Sequence, residues 1–93
     1  MKTTLDEMQA FLAVLDSGSI SPAAEQLGQT PSGVSRALGR LEEKLGTTLL
    51  TRPTRRLHLT AEGDAYLRHA RASIDAVESA EEQMAPRRER PAG

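Results

Sequence analysis

Residues 21–45 read SPAAEQLGQTPSGVSRALGRLEEKL. The stretch carries two helix start signals, Ser21-Pro22 and Thr30-Pro31. In each, a hydroxyl accepts from an orphan backbone amide, and proline opens the helix because it lacks only a donor that would be unpaired there. Ala23, Ala24 and Leu27 give the first helix an apolar face that Gly28 closes; Val34, Ala37, Leu38, Leu41 and Leu45 give the second a stripe that Gly46 ends. Two helices joined by a short connection containing glycine make a helix-turn-helix. Its corner has steric needs, and each is met: Ala24 is small where the helices cross, Gly28 accepts a left-handed backbone, and Val34 fills the angle. A plain helical hairpin is the alternative.

The outer face of the second helix separates the two. Opposite the apolar stripe lie Ser32, Gly33, Ser35, Arg36, Gly39 and Arg40, and no acid follows until Glu42. Small residues let a helix backbone approach the floor of a major groove, and first-turn amides aim at phosphates. Helix-turn-helix proteins contact bases mainly from this end of the helix. Each of the two glycines costs about 1 kcal/mol of helix stability relative to alanine, which close approach would justify. Arg40, with Glu43 and Lys44 nearby, fits a solvated charge on an amphipathic helix as well as it fits a contact.

Upstream, Thr4 and Glu7 form a capping box, and Leu5, Met8, Phe11, Leu12 and Leu15 recur at helical spacing until Gly18. Downstream, Leu49-Leu50 and Leu57-His58-Leu59 flank a tight turn as two short strands. Arg52, Arg55, Arg56 and His58 fall within residues 51–60, which hold no acid. A basic hairpin after a helix-turn-helix is a wing, which lies along the DNA backbone or in the minor groove. Arg52 and Arg55 are assigned to that contact and Arg56 to a solvent-facing strand position. Thr60 caps a long last helix in which Leu67, Ala70, Ile74, Val77, Glu81 and Met84 step by three and four. That is a coiled-coil-like seam flawed at Glu81, so Leu67, Ala70, Ile74, Val77 and Met84 form the expected dimer interface. Pro86 ends the helix. The expected organisation is a winged helix-turn-helix over 1–60, a linker helix over 61–85, and a disordered tail over 86–93.

Composition bounds the function. The chain has 93 residues and no cysteine, which excludes disulfides and thiolate metal sites. No apolar run reaches the roughly 18 residues of a membrane span, and the N-terminus lacks the apolar core of a signal peptide. Phe11 and Tyr66 are the only aromatics, too few for a base-stacking platform. The net charge of −1 conceals a segregation: −3 over residues 1–29, +4 over 30–71 and −2 over 72–93. Screening acts over about 8 Å at physiological salt, so the local +4 governs attraction to phosphates. His58 and His69 match no metal-ligand or triad spacing, and no serine sits in a nucleophile context. No catalytic site, metal or cofactor is expected.

Taken in order and spacing, the residues resemble the N-terminal region of LysR-type transcriptional regulators from about Leu5 to Met84. The resemblance rests on Met8-Gln9-Ala10-Phe11-Leu12-Ala13-Val14, Gly18-Ser19, Ala23-Ala24-Glu25-Gln26-Leu27, Thr30-Pro31-Ser32-Gly33-Val34-Ser35-Arg36, Leu41-Glu42-Glu43-Lys44-Leu45-Gly46, Leu49-Leu50, Arg52, Arg55 and Leu59-Thr60-Ala61-Glu62-Gly63. It implies a mainly α winged helix-turn-helix, three helices plus a two-stranded wing, followed by a long linker helix that pairs with its twin in a homodimer. It also implies DNA contacts at Thr30, Ser32, Gly33, Ser35 and Arg36 on the recognition helix and at Arg52 and Arg55 around the wing. Ile20 and Leu50 stand where the family usually has phenylalanine, which suggests a lighter core. Pro31 stands where a glutamine is frequent, so any base reading by that glutamine is absent or replaced.

Family members continue into an effector-binding domain. The segment after Met84 is a short basic, proline-containing stretch, so no small-molecule effector is expected to bind this chain. The expected function is therefore sequence-specific binding of double-stranded DNA at an inverted repeat, by a dimer, in the bacterial cytoplasm. The rival is a winged helix used for protein–protein interaction or dimerisation, which would have no salt-dependent DNA affinity.

Overall fold

The computed structural model describes residues 1–51 and 57–84. In chain order it contains α1 (Leu5–Ser17), α2 (Ile20–Leu27), α3 (Pro31–Leu45), β1 (Leu50–Thr51), β2 (His58–Leu59) and α4 (Ala61–Met84). The strands pair antiparallel with Leu50 opposite Leu59 and Thr51 opposite His58. This is the mainly helical, winged architecture expected. The tail over 86–93 lies outside the described residues.

The helix ends follow from local chemistry. The Glu7 amide donates to the Thr4 hydroxyl at 3.2 Å while the Thr4 amide donates to Glu7 Oε1 at 3.0 Å, completing the capping box. Gly28, between α2 and α3, sits at φ 67°, a left-handed conformation that side chains disfavour. The start of α2 differs from expectation. Ser19, not Ser21, is its N-cap, and Pro22 occupies the third helical position. Proline is tolerated there because the first four amides of a helix have no intrahelical acceptor.

Two clusters form the core. Ala10, Val14, Ala23, Ala24, Val34 and Ala37 join α1, α2 and α3 at the corner, with Ala24 and Val34 buried as the motif requires. Met8, Phe11, Leu12, Leu41, Leu49, Ala70 and Ile74 join α1, α3, the start of the wing and α4. Fully burying a side chain such as Phe11 or Leu41 contributes about 1.5–3 kcal/mol. The rings of Phe11 and Tyr66 lie 5.6 Å apart at 60°, a tilted contact between α1 and α4.

Helix α4 is thus part of the domain as well as an extension from it. Ala70 and Ile74 are buried in the shared core and Leu67 packs against it, while Val77 is half-buried and Met84 exposed. Arg71 reinforces the docking by pairing with Asp16 of α1 at 2.9 Å. The three-and-four spacing that reads as a coiled-coil seam is equally the spacing of any helix face laid on a core. Over its first half, α4 uses that face within its own chain.

Candidate nucleic-acid interface

Helix α3 buries Val34, Ala37 and Leu41 and turns the opposite side to solvent. Ser32, Ser35, Arg36, Gly39 and Arg40 are all exposed, and Gly33 is partly so. The sequence-predicted face therefore exists as one surface, small and polar over its first two turns.

Thr30 and Gly33, both expected DNA contacts, together form the cap of α3. The Thr30 hydroxyl accepts the Gly33 amide at 3.0 Å, and the Thr30 carbonyl accepts the Val34 amide at 3.0 Å. A Cβ on Gly33 would lie 3.2 Å from the Thr30 hydroxyl oxygen, so glycine keeps this cap intact. Pro31 has no amide. Of the first-turn donors, the Ser32 amide is the one left without a partner among the described residues.

A shallow depression runs beside this helix start, lined by Gly18, Ser19, Ile20, Ser21, Pro31, Ser32, Ser35 and Leu57. It brings the start of α2 against the start of α3 and gathers four serines. Ser19 and Ser21 are not among the contacts expected from the sequence, which reads Ser21 as the N-cap of α2. As the second residue of α2, Ser21 lines this surface.

The two arginines of α3 differ. Arg36 makes no ion pair among the described residues. Arg40 turns toward α1, where its Nε lies 3.4 Å from Glu7 Oε2, and Lys44 Nζ reaches the same oxygen at 2.8 Å. Glu7 is buried, which by itself would raise its pKa. Hydrogen bonds from Lys44, the Thr4 backbone and Arg40, with the Lys44 charge, outweigh that and hold it below the usual value. Glu7 thus caps α1 and ties α1 to α3.

The wing is anchored from both sides. Glu42 of α3 accepts the backbone amides of Leu49 and Leu50 at 2.8 and 3.0 Å. Thr60 donates its hydroxyl to the Thr48 carbonyl at 2.6 Å and its amide to the Leu49 carbonyl at 3.0 Å, and its oxygen accepts the Gly63 amide at 2.9 Å. The strand pair is only two residues long on each side, and these hydrogen bonds tie its base to α3 and to the start of α4. Arg52 and Arg55, predicted to contact the backbone, lie outside the described residues, and His58 is exposed on β2. Among the described residues no helix is long and apolar enough to cross a membrane, and no group of three metal-ligating side chains occurs.

Comparison with known proteins places this arrangement. Residues 5–64 match the family model described as bacterial regulatory helix-turn-helix protein, lysR family. The chain is 48% identical over 93 residues to the HTH-type transcriptional regulator CrgA of Neisseria meningitidis, all of this chain against 31% of the relative. It therefore spans about a third of the length of that curated relative. The solved structure of CrgA, a LysR-type transcriptional regulator, superposes with a TM-score of 0.79 over 99% of this chain and 31% of that one. The BenM DBD in complex with catB site 1 DNA gives a TM-score of 0.83 at 29% identity, covering 88% of this chain and 91% of that one. The CbnR DBD–DNA complex gives 0.80 at 29% identity, covering 88% and 94%. The chain belongs to the LysR family of bacterial regulatory helix-turn-helix proteins.

Proposed function

We propose that this chain binds double-stranded DNA sequence-specifically as the DNA-binding part of a transcription regulator in the bacterial cytoplasm. The observation that carries this is the exposed, acid-free face of Ser32, Ser35, Arg36 and Gly39 on a helix whose other side is fixed in the core. Its small residues admit the helix to a major groove, where Ser35 and Arg36 meet base edges. The serines around the start of α2 and the basic residues Arg52 and Arg55 supply backbone contact. The likeness to BenM and CbnR domains solved on DNA supports this reading.

A dimer of such domains would read an inverted repeat with half-sites about one helical turn, or a multiple, apart. Pairing would use the far half of α4, where Val77 and Met84 continue the apolar stripe beyond the domain core.

The test is a binding selection from a random duplex pool at several salt concentrations. An enriched inverted repeat is the expected result. If about six phosphates are neutralised, log affinity falls against log salt with a slope near −5. A flat salt response with no enriched sequence would overturn the proposal in favour of a protein-binding module.

A further inference from the structure

Glu7 is the one buried charged residue among those described, with 3% of its side chain exposed. Its two oxygens are committed in different directions. Oε1 accepts the Thr4 amide, which fixes the carboxylate to the start of α1. Oε2 faces Lys44 and Arg40 of α3, 37 and 33 residues away in sequence. An acceptor locked by its own helix cap and screened from water attracts cations more strongly than an exposed one.

Arg36 and Arg40 are one turn apart on the exposed side of α3, so an outward Arg40 would place a second cation beside the first. The Arg40 side chain is 55% exposed, and among the described residues its one hydrogen-bonded or ionic side-chain partner is Glu7 of α1.

We propose that Glu7 is a positioning residue for DNA binding, holding Arg40 against α1 so that α3 meets the duplex with Arg36 as its one cation without an ion pair among the described residues. This rests on the DNA-binding reading above. The partner withheld from Arg40 is a backbone phosphate, and Glu7 and that phosphate are alternative acceptors for the same guanidinium. Withholding one sequence-independent contact lowers affinity for all duplexes alike and leaves a larger share of binding to base contacts.

The test is the salt slope of binding to a mixed-sequence duplex, measured for the unsubstituted chain, Arg40→Gln, Glu7→Gln and the double variant. Glutamine at residue 7 preserves the size of the side chain and the Thr4 contact, and glutamine at residue 40 removes the guanidinium charge while keeping a polar side chain. The expected result has three parts: Arg40→Gln keeps the parental slope, Glu7→Gln steepens it by about 0.9, the value for one added phosphate contact, and the double variant returns to the parental slope. A slope that flattens by about 0.9 in Arg40→Gln alone would overturn the proposal, as would a double variant as steep as Glu7→Gln. A flat slope in the unsubstituted chain would reject DNA binding itself. Should Glu7→Gln fail to fold, the Nε–H resonances of the unsubstituted chain decide: Arg36 shifting on duplex addition while Arg40 stays supports the proposal, and equal shifts overturn it.

Discussion

The backbone of Gly63 in α4 lies against the carbonyl of Leu49 so closely that residue 63 has no room for a side chain. A Cβ there would overlap the Leu49 carbonyl oxygen and approach Leu59 Cδ2 to 2.9 Å. Leu49 is itself buried and held by the Glu42 carboxylate and Thr60, so neither partner can retreat cheaply. Replacing Gly63 with alanine is expected to lower stability by roughly 3 kcal/mol, the upper range for overpacking, despite alanine's better helix propensity. Urea denaturation measures this, and an unchanged or raised midpoint would show that the junction of wing and α4 yields more readily than its contacts indicate.

How much of this was legible in the sequence depends on range. The Thr4–Glu7 box and the left-handed Gly28 and Gly46 are interactions over a few residues, and the pattern shows them directly. The first turn of α2 was misplaced because Ser19 and Ser21 are both acceptable caps, and Pro22 is tolerated at either resulting position. Arg40 could be placed on the outer face but not oriented, since its partner lies 33 residues upstream. The far end of α4 shares one periodicity with the near end, and only packing shows that Ala70 and Ile74 serve the domain core. Glu42 read as the acid that closes the basic face, whereas its carboxylate anchors the wing.

The depressed pKa of Glu7 makes stability depend on acid. A carboxylate whose folded pKa lies below its unfolded value contributes stability that is present above the unfolded pKa and lost as pH falls through the folded one. The ordinary value is 4.5, so the contribution is complete near neutrality and disappears at more acidic pH. Denaturation midpoints from pH 7 downward should therefore fall more steeply for the parent chain than for Glu7→Gln, whose neutral amide has no such dependence. Parallel curves would show that Glu7 keeps an ordinary pKa.

Gly39 presents the opposite case to Gly63. It lies in the interior of α3, and a Cβ there would meet nothing within 4 Å. Alanine should therefore stabilise the isolated chain by about 1 kcal/mol through helix propensity. If α3 approaches a duplex along this face, the same methyl group would stand between backbone and groove. The expected outcome is a raised denaturation midpoint with roughly tenfold weaker duplex affinity, about 1.4 kcal/mol. Affinity that rises together with stability would show that the residue 39 face turns away from DNA.

The two halves of the α4 stripe should respond differently to charge. Ile74 packs with Phe11 and Leu12 and is 8% exposed, so Ile74→Lys buries an ammonium group in the domain core. It is expected to cost about 3 kcal/mol or more and to impair folding irrespective of oligomeric state. Val77 is half-buried and Met84 is 74% exposed, one turn and three turns further along the helix. At chain concentrations too low for pairing, lysine at either position should leave the denaturation midpoint nearly unchanged, because little intrachain packing is lost. If two chains pair through this segment, Val77→Lys would shift sedimentation from dimer to monomer and weaken binding to an inverted repeat far more than to a single half-site. If the parent chain sediments as a dimer and Val77→Lys and Met84→Lys do the same, the interface lies elsewhere on the chain.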